Sequence, residues 1–278
     1  MDVAQILAMW YDMTVNRKGG GGMAERIFVP ETLRAFFGEH PRMALAFSGG
    51  VDSAYLLYAA LACGCDVQAF YARSAFQPAF EREDARRLAA QLGAKLTEVP
   101  LDVLSVEAVR ANPADRCYHC KQAIFTALLR AAREAGYEAV MDGTNASDDA
   151  GDRPGMRALA ELKVLSPLRL CGIPKAEVRS LSREAGLFTW DKPAYACLAT
   201  RVPAGTPITA EMLRRVEGAE TALFGMGFTD FRVRLYHDAA RLQLPASQLG
   251  LAVERREAIR EVLQPWFDTV LLDLKTRD

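Results

Sequence analysis

The chain has 278 residues, half of them apolar and a quarter charged, with a formal net charge of −1 and six cysteines. This length allows roughly two domains with cores that need no disulfide staples, and the near-neutral balance excludes a general electrostatic pull toward nucleic acid or membrane. No apolar run is long enough to span a bilayer and no secretory signal is expected, and the cysteines are too few for a disulfide framework; a reducing cytoplasm is the expected location, where a clustered pair signals metal or redox chemistry.

The first residues, "MDVAQILAMWYDMTVNRKGGGGMAER", read as an appended leader with a flexible glycine run, so residues 1–24 are set aside from the fold. From Arg42 onward strands and helices alternate. "RMALAF" is a predicted strand, "SAYLLYAALACG" a helix closed by Gly64, and "DVQAFYAR" a second strand. "AFEREDARRLAAQLG" is an amphipathic helix with Phe80, Leu88 and Leu92 near one face, and "KLTEVPLD" is a third strand. "KQAIFTALLRAAREAG" is a helix and "EAVMDGTN" a fourth strand. This βαβα order predicts an α/β fold with a parallel sheet, which binds ligands beyond the carboxyl ends of its strands. A Pro-rich passage follows, with one helix over Lys175–Ala185 and a long irregular stretch through "KPAYACLATRVP". Loops that long are usually functional or disordered. The helix "TAEMLRRVEGAETALFGMG" comes next, with Met212, Val216, Ala219 and Leu223 inward. "FRVRLYHD" and "ARLQLP" form a predicted hairpin, "AVERREAIREVLQPW" one helix and "FDTVLLDL" a last strand. The expected division is a larger α/β domain over residues 25–202, which carries the sheet and its ligand-binding edge, and a small α+β domain over 203–278.

The six residues "SGGVDS" stand where the first strand hands over to its helix. A helix N-terminus offers backbone N–H groups and a positive dipole end to phosphate. Gly49 and Gly50 allow close backbone approach and positive φ. Ser48 and Ser53 add hydroxyls, and Asp52 reaches a Mg²⁺ held between phosphate oxygens. The loop lacks the GK[ST] ending of a Walker A motif, so it is not built for γ-phosphoryl transfer.

"NPADRCYHCK" holds Cys117 and Cys120 as a CxxC between Arg116 and Lys121. Such a pair is half a zinc site, a redox pair or two ligands of an iron–sulfur cluster. Basic neighbours favour thiolate. Cys197, in the irregular segment, is the obvious third cysteine; His119 is a weaker fourth ligand that more simply faces solvent or a carboxylate. Cys63, Cys65 and Cys171 read as small core residues. Arg201 follows Cys197 by four, and Arg232 and Arg234 alternate on one face of "FRVRLYHD"; arginines are the usual readers of anionic groups. A solvated strand face explains that pair as well. Tyr118 either stacks on a substrate ring or simply packs.

"SGGVDS" after an apolar strand resembles the pyrophosphate-binding PP-loop of the ATP pyrophosphatases, and Gly143-Thr144-Asn145 resembles the adenylate-side loop of that family. Together with "DRCYHCK" and "KPAYACLATR" these motifs resemble the LarE family from about residue 25 to the end of the chain. The resemblance implies an ATP-dependent sulfur transferase that adenylates the carboxylates of pyridinium-3,5-biscarboxylate mononucleotide and exchanges oxygen for sulfur, toward a nickel-pincer cofactor. It implies ATP and Mg²⁺, and a sulfur source of one of two kinds: the thiol of Cys197 itself, or a [4Fe–4S] cluster on Cys117, Cys120 and Cys197, with an external sulfur donor. The three cysteines favour the cluster kind. Thr200 stands where the family motif has serine, which keeps the hydroxyl. The resemblance further implies a phosphate-binding pair in Arg232 and Arg234, an acidic metal ligand at Glu220, one turn from Glu217, and a homo-oligomer. Three rivals stay open: a transfer-RNA thiolase, against which the lack of a basic extension counts; an amide-forming ligase, which needs no cysteine pair; and a non-catalytic nucleotide sensor.

Overall fold

The computed structural model describes residues 29–148 and 154–277. The leader predicted over residues 1–24 lies outside the described residues, as does Asp149 at the end of the polar loop. The elements are α1 (Glu31–Glu39), β1 (Arg42–Ala46), α2 (Val51–Ala62), β2 (Asp66–Arg73), α3 (Ala79–Gln91), β3 (Leu96–Pro100), α4 (Glu107–Arg110), α5 (Arg116–Glu134), β4 (Val140–Met141), α6 (Pro154–Glu161), α7 (Pro167–Leu170), α8 (Lys175–Glu184), α9 (Ala210–Gly225), β5 (Arg232–Tyr236), β6 (Ala239–Gln243), α10 (Ala246–Glu254), α11 (Arg256–Leu263) and β7 (Val270–Leu272). Short 3₁₀ turns cover Val103–Ser105 and Leu198–Arg201.

The first sheet is parallel in the order β3-β2-β1-β4, as the alternating pattern predicts. Its central strand β1 is continuous and apolar because helices cover both faces. Pro100 ends the edge strand β3, where a missing N–H costs no ladder bond. The fourth strand is far shorter than the run from Glu138 to Asn145 suggests: only Val140 and Met141 pair, with Ala44 and Leu45. The chain turns away because Asp142 folds back to accept from the Thr144 amide at 3.3 Å, the Thr144 hydroxyl at 2.6 Å and the Ser166 hydroxyl at 2.7 Å.

The second sheet, β5-β6-β7, pairs β5 with β6 antiparallel and β6 with β7 parallel. It carries its own core around Leu213, Val216, Leu223, Phe228, Val233 and Leu263. Leu213, not Met212, is the fully inward residue of the first turn of α9; Met212 only packs against the edge. The expected single helix from Ala252 to Trp266 is two, broken at Arg255, and the first begins at Ala246, directly after Pro245. Leu198, Ala199 and Val202 from the irregular segment, and Val103 and Val109 from the loop after β3, belong to this second core. The segment that carries Cys197 is therefore pinned to the second sheet while its neighbours reach the first. No helix among the described residues is long and apolar enough to cross a membrane.

Candidate active site

The Ser48–Ser53 turn is built from local hydrogen bonds. Gly49 takes φ +72°, and a Cβ there would stand 3.1 Å from the Ala85 backbone on α3. Gly50 does not need positive φ: at −80° and 166° it is an extended N-cap, and no side chain caps α2. The Ser53 hydroxyl instead turns back, donating to the Gly50 carbonyl at 3.2 Å and accepting from the Ser48 amide at 3.3 Å, with the Ser48 hydroxyl 3.1 Å away. No side chain caps the start of α2, and a helix N-terminus left in that way is the kind of end at which a phosphate binds.

The loop after β4 closes over this turn. A Cβ on Gly143 would lie 2.8 Å from the Ser53 amide nitrogen and 3.1 Å from its Cα. Only glycine lets the two loops approach so closely. Gly143→Ala is expected to weaken ATP binding at least about tenfold and to cost about 1–3 kcal/mol of stability, the range for overpacking a close contact. Nucleotide titration and denaturant unfolding of the same variant check both numbers; unchanged ATP affinity would separate this loop from the nucleotide.

Asn145 is buried and donates to Asp52 Oδ1 at 3.3 Å. The other oxygen of Asp52 accepts from Lys175 Nζ in a close ion pair. Burial pushes the Asp52 carboxyl above its ordinary value, against the pull of Lys175. The Lys175 amide donates to the Ser147 hydroxyl at 3.0 Å, so the start of α8 docks on the same loop. Sequence reasoning missed Lys175; a lysine on the first turn of a helix, where its charge opposes the dipole, is the signal that points to it.

A second cluster of candidate residues is built around Cys197. Arg116, itself buried, donates to the Asn112 side chain at 2.8 Å and to the Ala199 carbonyl at 2.9 Å, and approaches Cys117 Sγ at 3.7 Å. It ties the first turn of α5, with Cys117 and Cys120, to the Cys197 turn. Cys120 feels the charge of Cys197, and Cys197 that of Cys117, so the three thiols share one neighbourhood. The expectation that basic neighbours favour thiolate fails for Cys120: burial outweighs Arg116 and Lys121 and pushes its thiol up to about 12. Burial likewise raises Cys197 above the ordinary thiol range, against Arg116 and Arg201. His119 turns toward Asp115 at 3.4 Å. Tyr118 donates to Glu161 at 2.7 Å while the Arg157 guanidinium covers its ring at 4.0 Å. Among the described residues no group of three or more His, Cys, Asp or Glu side chains is arranged to hold a metal ion.

Arg201 and Glu220 form a fully buried ion pair, Nε to Oε1 at 2.9 Å and Nη2 to Oε2 at 3.0 Å. Glu220 Oε1 also accepts from the Val233 amide at 2.9 Å, and Oε2 takes the Tyr195 hydroxyl in a close hydrogen bond. Four donors fill the acceptor sites of one carboxylate, so a cation at Glu220 would have to displace one of them. Arg201 Nη1 binds the Ala196 carbonyl at 2.7 Å, the Cys197 carbonyl at 3.3 Å and the Thr200 hydroxyl at 2.8 Å. The arginine is therefore a brace for the Cys197 segment. Arg232 and Arg234 do share a face of β5, and both reach back to this segment, Arg232 to the Ala194 carbonyl at 2.6 Å and Arg234 to the Thr200 carbonyl at 2.7 Å. Desolvation, then the charges of Arg201 and Arg277, holds Arg232 down at about 10. Arg234 is lowered by the same causes. Arg234 pairs with no carboxylate among the described residues and Arg232 only with Asp230, at 3.8 Å, so their charge is available to an anionic ligand.

α3 joins the Ser48–Ser53 turn to this second cluster. Its Ala85 meets Gly49, its Phe80 ring meets Tyr195 edge-on at 4.8 Å, and its first amide, Ala79, donates to Glu217 at 2.7 Å. Just before it, the Phe76 carbonyl accepts from Leu198 at 2.9 Å. Ala79 to Ala85 is about 9 Å of helix.

The ThiI family profile, described as a thiamine biosynthesis protein, matches residues 39–223. A pyridinium-3,5-bisthiocarboxylic acid mononucleotide synthase of Lactiplantibacillus plantarum is 35% identical over 246 residues, 87% of this chain and 89% of that one. The chain belongs to the LarE family of PP-loop enzymes. An uncharacterized protein of Synechocystis sp. is 40% identical over 227 residues, 81% of this chain and 84% of its own. One of Methanocaldococcus jannaschii is 27% identical over 237 residues, 85% of this chain and 91% of its own. LarE membership makes the chain an ATP-using enzyme of the sulfurtransferase type.

Proposed function

We propose that the protein adenylates the carboxylates of pyridinium-3,5-biscarboxylate mononucleotide with ATP and converts them to thiocarboxylates. The observation that carries this reading is α3, whose Ala85 meets Gly49 while its Phe80 meets Tyr195, two residues before Cys197, at a helix rise of about 7.5 Å from Ala85. Such a span is what a substrate needs when its acid is activated at one end and meets sulfur at the other. The likeness to a bisthiocarboxylate mononucleotide synthase over nine tenths of that chain supports the substrate.

Hydroxide leaves a carboxylate poorly, and AMP leaves well. A carboxylate oxygen attacks the α-phosphorus of ATP; the bond to the bridging oxygen breaks and pyrophosphate stays on the α2 amides. Mg²⁺, when bound, neutralises phosphate charge, and Asp52 is the carboxylate in the Ser48–Ser53 turn suited to it, with Lys175 able to turn to a phosphate as the cation arrives. Arg232 and Arg234 supply charge for the substrate phosphate. The sulfur of Cys197, its proton passing to solvent, then attacks the acyl carbon, and AMP departs with the electron pair of the carbon–oxygen bond, which leaves the acyl group as a thioester on Cys197; β-elimination, with the Cα proton passing to solvent, breaks the Cβ–Sγ bond, frees the thiocarboxylate and leaves dehydroalanine at position 197.

A second reading adds a [4Fe–4S] cluster on Cys117, Cys120 and Cys197, and the shared neighbourhood of the three thiols favours it. Among the described residues the three do not form a ligand group, so the first turn of α5 and the Cys197 segment would have to close further to hold a cluster. The cysteine content also supports a reducing compartment, and the exposed apolar Val253, Leu271 and Leu272 support a homo-oligomer. Purified protein given ATP, Mg²⁺ and the dicarboxylate is expected to yield AMP, pyrophosphate and a product heavier by the oxygen-to-sulfur exchange. Iron and sulfide assay of anaerobically purified protein separates the two sulfur sources. ATP turnover with transfer RNA but not with the dicarboxylate would overturn the substrate.

A further inference from the structure

The first turn of α3 presents one carboxylate that no described residue neutralises. The Glu81 carboxylate makes no hydrogen bond or ion pair among the described residues, yet the residue is only partly exposed and lies in the field of Lys192, Arg201 and Arg232. Those cations have partners of their own. Lys192 pairs with Asp84 at 2.7 Å and Arg201 with Glu220, while Arg232 binds two carbonyls. Glu217, on the facing helix α9, is engaged by the Ala79 amide. Glu81 is thus left over in a neighbourhood otherwise paired off.

A second group nearby also lacks a partner. The Tyr71 hydroxyl, on the C-terminal half of β2, belongs to a residue that is 2% exposed and has no hydrogen-bond partner among the described residues. The carboxylate that acts on it most strongly is Glu81. Buried hydroxyls without partners are rare in folded proteins. One such hydroxyl beside one unneutralised carboxylate marks a polar pocket completed by something other than the chain itself.

The location says what completes it. Glu81 and Ala85 share a face of α3, four residues apart, and Ala85 touches the PP-loop at Gly49. On its other side Glu81 faces the arginines of the Cys197 segment and β5. It stands between the nucleotide and the anion readers, where the ring of the substrate proposed above must lie. That substrate is a zwitterion. Its carboxylates and phosphate suit the arginines, but its ring nitrogen is a permanent cation, and arginines repel it.

We infer that Glu81 is the specificity residue for the cationic ring, its carboxylate answering the pyridinium charge while Arg232 and Arg234 hold the anionic groups. This inference rests on the proposed substrate. It accounts for an acidic residue being kept among three cations without a salt bridge. In the absence of ligand, desolvation raises Glu81 to about 7 despite Lys192 and Arg201. A cation arriving beside it favours the ionised form, so binding releases a proton near pH 6.5. The other titratable or charged groups facing it, Asp84, Glu217, Tyr71 and Tyr195, are held in pairs or far above neutrality.

The test compares two ligands on the whole protein with a non-hydrolysable ATP analogue present: the pyridinium-3,5-dicarboxylate mononucleotide, and the isosteric benzene-3,5-dicarboxylate ribotide, which lacks the ring charge. Wild type is expected to prefer the pyridinium ligand about tenfold, the scale of one desolvated cation contact, and to release a proton on binding it at pH 6.5. Glu81→Gln is expected to erase the preference and the proton release while its affinity for the neutral ligand stays within about twofold. Equal wild-type affinity for the two ligands, or a Glu81→Gln loss that falls on both alike, overturns the assignment of Glu81. Failure of wild type to bind either ligand overturns the proposed substrate instead. The wild-type comparison stands even where the variant does not fold.

Discussion

Glu220→Ala is expected to lower the unfolding free energy by about 3–5 kcal/mol, the cost of stranding one member of a buried ion pair. Arg201 has a side-chain exposure of 0% and Glu220 of 2%, so water cannot take the place of the missing carboxylate. The substitution removes more than one partner. The Arg201 fork, the Val233 amide and the Tyr195 hydroxyl all donate to the same two oxygens. Losing them loosens β5, the Tyr195 ring and the 3₁₀ turn after Cys197 together. Glu220→Gln keeps the shape and two acceptor positions but turns an amide toward donors, and is expected to cost less than alanine and more than nothing. Urea unfolding of the three proteins measures the order. A loss below about 1 kcal/mol for alanine would mean that the pair adds little beyond its desolvation cost.

This network was only half legible in the sequence. Arg201 and Glu220 were both singled out, but as ligands of substrate and metal, because a charged residue in a motif reads first as a contact with something outside. That they would face each other depends on the second sheet folding back over residues 194–202, and nothing in a single sequence fixes that approach. Tyr195 drew no notice, since an aromatic two residues before a cysteine in an irregular stretch has no period to mark it. Glu81 was hidden differently. It lies in a helix that reads as ordinary and amphipathic, and its face became meaningful only when Ala85 met Gly49.

The local signals fared better. The apolar strand, the glycine turn and the helix of the PP-loop lie within twenty residues, so short-range sterics carry them into the fold. The parallel sheet follows from the alternation of strands and helices. Strand length was misjudged at β4 because Asp142, Thr144 and Ser166 compete for the backbone, and side-chain bonds of that kind end a strand without any turn residue to announce it. Helix continuity was misjudged after Ala252, where the charged run around Arg255 offers no breaker to see.

Cys197→Ala is the substitution with the largest expected effect on activity. Product thiocarboxylate is expected to fall by at least about a thousandfold, the scale for losing a covalent nucleophile. Release of pyrophosphate from ATP in the presence of the dicarboxylate should stay within a few-fold of wild type, because the cradle at Ser48–Ser53 is built from residues that do not touch the cysteine. The Cys197 side chain is largely enclosed by Arg116, Arg201 and the second core, and truncating it to alanine removes one sulfur, so the fold is expected to survive. Cys117→Ala and Cys120→Ala divide the two sulfur sources. Where Cys197 alone supplies sulfur, each leaves transfer within about tenfold of wild type. Where the three act as a unit, each is expected to cost nearly as much as the loss of Cys197, since members of one catalytic group are far from additive. Loss of pyrophosphate release together with thiocarboxylate in Cys197→Ala would place the cysteine in adenylation, and would break the separation between an activating end and a sulfur end on which the mechanism is built.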